Sequence, residues 1–170
     1  MATALLINKE DVPKRTFLNG NVDIDQWIQY VELAQEIHIQ NVLGTDLLAQ
    51  CKSLITAGTL GDAGNEAYET LVETWTKPAL VWWTMVEYLP FANYQLSNKG
   101  IYKHTSENAD GVDKSEVDAL TEKARDTAQY YTERLVRYLC NNSESFTEYT
   151  SNSDEDISPD KDVNFSGWYL

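Results

Sequence analysis

The hydrophobic pattern is organised around one run that has no polar face. From Pro78 to Pro90, through Ala79-Leu80-Val81-Trp82-Trp83-Thr84-Met85-Val86-Glu87-Tyr88-Leu89, only Glu87 is charged. A helix drawn through this stretch has no side suited to water, so the pattern predicts a helix buried all round. About twelve residues at about 1.5 Å each fall short of a hydrocarbon layer of roughly 30 Å, which favours a core helix over a membrane span. Pro78 suits a first helical turn, and Pro90 ends the run.

Amphipathic patterns lie on either side. Trp27, Ile28, Val31, Ala34, Ile37, Val42 and Leu43 recur at helical spacing after Asp23, which forms a capping-box pattern with Gln26; Gly44 supplies the stop. Thr45 is the expected cap of a second helix, in which Leu47, Leu48, Cys51, Leu54 and Ile55 share a face until Gly58. These two form a helical hairpin. Asn65 is the expected cap of a third helix that carries Tyr68, Leu71, Val72 and Trp75 into Pro78. Asp113 with Glu116 makes a further capping box before the longest stripe, Val117, Leu120, Ala124, Thr127, Tyr131, Leu135 and Tyr138, about 40 Å of helix. That stripe reads as the outer wall of the domain in preference to a coiled coil. Asn141-Asn142 is its stop.

The expectation is therefore an all-α bundle of about five helices: a helical hairpin, a buried core helix and a long C-terminal helix. Residues 1–20 read as an extended N-terminal arm, either a strand docked through Leu5, Leu6 and Ile7 or an extended clasp, residues 21–142 as the helical body, and residues 143–170 as an acidic tail. Between Phe91 and Gly111 no period is sustained, and Ser97-Asn98-Lys99-Gly100 is a turn signal. Phe91, Tyr94, Ile101 and Tyr102 in this stretch either pack over the core or meet a partner. The tail is rich in Ser, Asn, Asp and Glu, a composition that does not fold by itself, but it contains Phe146 with Tyr149 and ends on Phe165-Ser166-Gly167-Trp168-Tyr169-Leu170. Aromatic anchors on an acidic leash are expected to grasp another subunit.

A formal net charge of −14 argues against nucleic acid as a ligand, because phosphate contacts need clustered Lys and Arg; the same charge suits a surface past which DNA slides. Chemical sites are sparse. Cys51 and Cys140 have no metal or redox spacing, and His38 and His104 have no serine or cysteine motif beside them. Asp154, Asp156, Asp160 and Asp162 lack the glycine and closing glutamate of a calcium loop, and the glycines from Gly58 to Gly64 follow no strand and precede no Lys-Ser or Lys-Thr. No catalytic, cofactor-binding or metal-ligating residue is assigned, and an enzyme is not expected. The N-terminus has too short an apolar run, with no basic lead, for a signal peptide, so synthesis and folding in a reducing cytoplasm are expected.

A set of landmarks completes the reading. They are Leu6-Ile7-Asn8, Ala34-Gln35 and Ile39 leading to Leu43-Gly44, Pro78 and Pro90 around the core, Gly100-Ile101, Tyr130-Tyr131 with Arg134-Leu135, Tyr138-Leu139, Asn142, and Phe146 followed by Tyr149. In order and spacing they resemble the head–tail connector (adaptor, or head-completion) proteins of tailed double-stranded DNA phages, in particular the ring proteins of Bacteroidetes and crAss-like phages. The resemblance spans residues 5–150 and leaves out the acidic stretch after Asn152. It implies a helical subunit of a dodecameric ring at the virion neck, a portal protein on one side and the next tail or neck protein on the other. It also implies a channel through which genomic DNA passes without sequence-specific binding, and no membrane contact. The interface residues expected from the anchors are Phe91, Tyr94, Ile101, Tyr102, Phe146, Tyr149, Phe165, Trp168, Tyr169 and Leu170. The rival expectation is an acidic DNA mimic that inhibits a host DNA-processing enzyme.

Overall fold

The computed structural model describes residues 4–18, 22–92, 94–97, 100–103, 113–152 and 156–162, with the backbone alone for 94–97 and 100–103. The expected anchors Phe165, Trp168, Tyr169 and Leu170, together with His104, lie outside the described residues.

The architecture is an all-α bundle with one short hairpin added. A short helix, α1 (Asp11–Arg15), sits in the arm. The first long helical run begins with α2 (Ile28–Ala34), continues through a π-helical segment (Gln35–Ile39) and ends as α3 (Gln40–Leu43). Asp23 accepts a hydrogen bond from the Asp25 N–H ahead of a single 3-10 turn (Ile24–Gln26), so the expected Asp23–Gln26 capping box gives way to a tighter local turn. Gly44, at φ +78°, reverses the chain into α4 (Thr45–Ala57). α4 closes on Gly58 in the left-handed region, whose N–H reaches the Leu54 and Ile55 carbonyls while Thr59 N–H bonds Leu54, as a glycine stop does.

The second long run contains α5 (Glu66–Thr70), a π-helical segment (Leu71–Thr76) and α6 (Lys77–Tyr88). Asn65 does not cap it through its side chain, which donates to the Thr59 carbonyl; Glu66 reaches back to the Gly64 N–H in its place. Pro78 was expected to open a separate helix, yet the helical run passes through it. Proline lacks the N–H and crowds the preceding turn, and the widened π turn just before it accommodates both defects. α6 is buried on ten of its twelve residues, Lys77 and Thr84 among them, which bears out a helix with no solvent face. Each large apolar side chain buried there contributes roughly 1.5–3 kcal/mol.

A 3-10 turn (Leu89–Phe91) leads to strands β1 (Tyr94–Ser97) and β2 (Gly100–Lys103), antiparallel with Ser97 opposite Gly100, so the turn signal lies where the hairpin closes. Then α7 (Lys114–Asn141) returns antiparallel along α6, opened by the predicted Asp113–Glu116 capping box. Its buried face is Thr121, Ala124, Ala128, Thr132, Leu135, Val136 and Leu139, about one position round from the expected stripe; Leu120 is exposed and Val117 only partly covered. On this face the Trp83 indole N–H donates to Thr132 Oγ1 at 2.9 Å, with the small residues Ala124 and Ala128 buried on the same side. After a 3-10 turn (Ser143–Ser145), α8 (Thr147–Ser151) packs on α4.

The arm from residue 4 onward and residues 143–152 are both fastened to this body. In the arm Leu6, Ile7, Val12 and Leu18 are buried in the common core. Gln35, itself fully buried in the π segment, accepts from the Leu6 N–H at 2.9 Å and donates to the Ala4 carbonyl at 3.2 Å, pairing with the arm as a neighbouring strand would. The buried Lys77 ammonium lies 3.3 Å from Asp11 and 2.7 Å from Glu73, tying α1 to α6. The division at residue 143 is likewise corrected. Phe146 and Tyr149 are fully buried, so residues 143–152 complete the core and are not a free tail.

Candidate functional site

Past α8 the chain returns as a strap, residues 156–162, across the Leu43–Asp46 corner. Thr45 N–H donates to the Ile157 carbonyl at 3.0 Å, and Ile157 N–H donates back to Thr45 Oγ1 at 3.2 Å. Asp160 N–H donates to the Asn41 carbonyl at 2.7 Å. Asn152 joins the two pieces: its Oδ1 accepts from Asp46 N–H and its Nδ2 donates to the Ile157 carbonyl. The first N–H groups of a helix have no partner within it. Here the strap and Asn152 supply partners to Thr45 and Asp46, whereas Thr45 had been expected to cap α4 with its own hydroxyl. That hydroxyl points at the strap because Thr45 lies inside the first turn, after Gly44. Pro159 rests directly on Gly44, and Lys161 lies over the Tyr149 ring at 5.1 Å.

Beside the strap is a cavity of about 260 Å³, lined by Ile37, His38, Asn41, Val42, Trp83, Thr132 and Val136 with Ser158, Asp160 and Asp162. His38 stacks on Trp83 with ring centroids 3.7 Å apart and an interplanar angle of 7°, and its Nε2 is 2.8 Å from Glu87 Oε1. Burial pushes the His38 imidazole below its ordinary pKa; Glu87 opposes the shift and Arg125 adds to it. Trp83 passes the chain of contacts on to Thr132, whose hydroxyl donates to the Ala128 carbonyl. This network ties the first helical run, α6 and α7 together. His38 is satisfied by its neighbours, one of the two non-catalytic readings open to it from the sequence, the other being exposure to solvent; the stack itself was not legible, since Trp82 and Trp83 are equivalent until the helix phase is known.

The cysteines stand apart from this cavity. Cys51 is buried in α4 with its thiol pushed up to about 12 by burial, and Cys140 is exposed. Among the described residues no group of three His, Cys, Asp or Glu side chains is placed to hold a metal ion.

The expected interface residues divide into three groups. Phe91 is 55 % exposed and stacks on Tyr30, with centroids 5.8 Å apart. Leu33 and Ile37, on the same face of the first run as Tyr30, are 38 % and 45 % exposed. Together they make an apolar stripe along an outer edge. Tyr94, Ile101 and Tyr102 lie on the hairpin at the same end of α6 as Phe91. Phe146 and Tyr149, in contrast, are inside: Phe146 meets Tyr68 edge-on and Tyr138 at a tilt, and the Tyr149 hydroxyl lies 3.9 Å from Cys140 Sγ. Their assignment as anchors for a partner is therefore corrected. The aromatic spacing marked a real anchor, but the surface anchored is the chain's own α4–α5 face.

A second flank went unnoticed in the sequence. Trp75 stacks on Tyr138, and the Arg134 guanidinium lies 5.1 Å over Trp75 and 5.8 Å from the exposed Tyr130 ring. The landmark pair Tyr130 and Arg134 pointed to it, at the i, i+4 spacing that brings helix side chains together.

A family model described as Family of unknown function (DUF6712) matches residues 39–158. The chain belongs to that family. Comparison with curated proteins and with solved structures found no match. The DUF6712 span starts in the first π segment and ends within the strap, so it takes in Gly44, α4 to α8 and Ile157, and leaves out the arm. No helix of the described residues is long and apolar enough to cross a membrane.

Proposed function

We propose that this DUF6712 protein is a structural subunit of a phage neck. In this reading it forms a ring, a dodecamer by the resemblance, that joins the portal to the next tail or neck protein and lets genomic DNA pass through its channel. The observation that carries the proposal is the stripe of exposed Leu33, Ile37 and Phe91, with half-buried Tyr30 among them, along one edge of the helical body. Contiguous exposed apolar side chains mark protein–protein contact, and the Phe91 end of this stripe lies at the end of α6 that also bears the hairpin. The landmarks shared with head–tail connectors supply the kind of assembly, and an acidic wall suits the passage of DNA without capture. Catalysis has no part in this proposal.

The test is genetic. A phage lacking the chain should fill heads with DNA but release them without tails, and Phe91→Asp with Leu33→Asp should reproduce that defect in a folded protein. Intact tailed particles from the deletion would refute the assignment.

One observation favours the inhibitor reading. Asp118, Glu122 and Asp126 stand one per turn, about 6 Å apart, on a rigid helix, which is near the spacing of phosphates. Lys123, Arg134 and Arg137 lie beside this row, and a surface that imitates nucleic acid would not carry them.

A further inference from the structure

α7 carries two exposed stripes of opposite character. At about 100° per residue, Asp118, Glu122 and Asp126 fall within about 80° of arc, and Lys123, Tyr130, Arg134 and Arg137 fall within about 60°. All seven are exposed. The stripes are centred about 90° apart around the helix. The basic and aromatic stripe borders the Trp75 side, where Arg134 is stacked; the acidic stripe borders the side of the strap cavity, which Thr132 and Val136 line.

These charges are nearly unused among the described residues. Among the described residues no ion pair engages Asp118, Glu122, Asp126, Lys123 or Arg134, and Arg137 reaches Glu133 only at 3.8 Å. Arg134 is held by two rings, and among the described residues no carboxylate pairs with it. In a chain of net charge −14 a basic, aromatic stripe complements the rest of the same surface better than it would complement a basic partner.

We infer that the acidic stripe of α7 in one copy docks on the Arg134–Tyr130 stripe of α7 in the next. The inference rests on the ring reading and names the surfaces that close the ring. The two stripes are different patches, so the contact is heterologous, and repetition by a fixed rotation gives a ring where it closes. The stripe centres are offset by about 14 Å along the helix, so copies at one height must carry α7 inclined to the ring axis.

Charge exchange tests this with the full-length chain. Glu122→Lys with Asp126→Lys makes both stripes basic; Arg134→Glu with Arg137→Glu makes both acidic. Each variant alone should keep wild-type helicity and assemble about tenfold more weakly, as expected for a few exposed pairs turned repulsive. Mixed in equal amounts they should assemble together, since each then offers what the other lacks. Light scattering at low salt, with and without portal, reads all three. Variants that assemble as wild type does, or a mixture that does not recover, overturn the stripe contact while leaving a ring built on other surfaces. A wild-type chain that stays monomeric in both conditions overturns the stripe contact and the ring together.

Discussion

Pro159 lies against the backbone of Gly44, so that a Cβ built on the glycine would stand 2.7 Å from both Cγ and Cδ of the proline ring. Glycine is required here twice over: φ +78° with ψ 163° is a backbone conformation where a side chain costs roughly 1–3 kcal/mol, and the strap passes through the volume that side chain would fill. Gly44→Ala should lower stability by at least about 1 kcal/mol in denaturant unfolding. Pro159→Ala in the same background should recover part of the loss. Strict additivity of the two changes would show that the strap is not seated on Gly44 in solution.

Asn152 serves α4 and the strap together. Its replacement by Ala removes a partner from the Asp46 N–H and from the Ile157 carbonyl, a loss comparable to that of a helix cap, about 1 kcal/mol. Faster amide exchange at Asp46 in Asn152→Ala, with exchange in α6 unchanged, is the expected signature.

The arm is fastened by buried polar groups, and these are sensitive to loss of one partner. Gln35→Leu should cost about 1–3 kcal/mol because the Leu6 N–H is left buried without an acceptor. Lys77→Ala should cost more than Asp11→Ala, since Lys77 keeps Glu73 when Asp11 is removed. Thermal unfolding of the three variants gives the order.

Phe146→Ala should destabilise the fold by about 3–5 kcal/mol, the cost of emptying a buried aromatic site. A variant of unchanged stability with weakened partner binding would restore the anchor role that its burial removes.

Much of the fold was legible because the chain punctuates it strongly. The apolar run between two prolines, glycine stops at 44 and 58, and the Asp113–Glu116 box each act locally, and each stands where it was read. What escaped depends on contacts distant in sequence. The π segment at Gln35–Ile39 turns Gln35 towards an arm some thirty residues earlier, and on α7 the buried Thr132 meets the Trp83 indole, a contact 49 residues apart. Phe146 and Tyr149 stood out as anchors in a polar stretch, but composition says nothing of which surface an anchor meets. The strap was hidden for the same reason: Ile157 and Pro159 are two ordinary residues in acidic surroundings until Gly44 and Thr45 are placed beneath them.

His38 gives the fold a pH dependence of predictable sign. Its folded-state pKa is depressed by burial, so the unfolded chain binds a proton first as pH falls. The contribution to stability is present above the ordinary histidine value, near 6.5, and is lost as pH falls from there through the folded-state value. Comparison of wild type with His38→Asn isolates the effect from the carboxylates, which titrate lower. The difference in stability between the two should shrink as pH is lowered through this window. A difference that grows would mean that the Glu87 contact, and not burial, governs the imidazole.

The ring itself is tested most directly by mass. Native mass spectrometry of the purified full-length chain, with and without portal, should reveal a closed multimer, or a monomer that enters one complex of fixed stoichiometry when portal is added. A monomer indifferent to portal in both experiments would contradict the neck-subunit account.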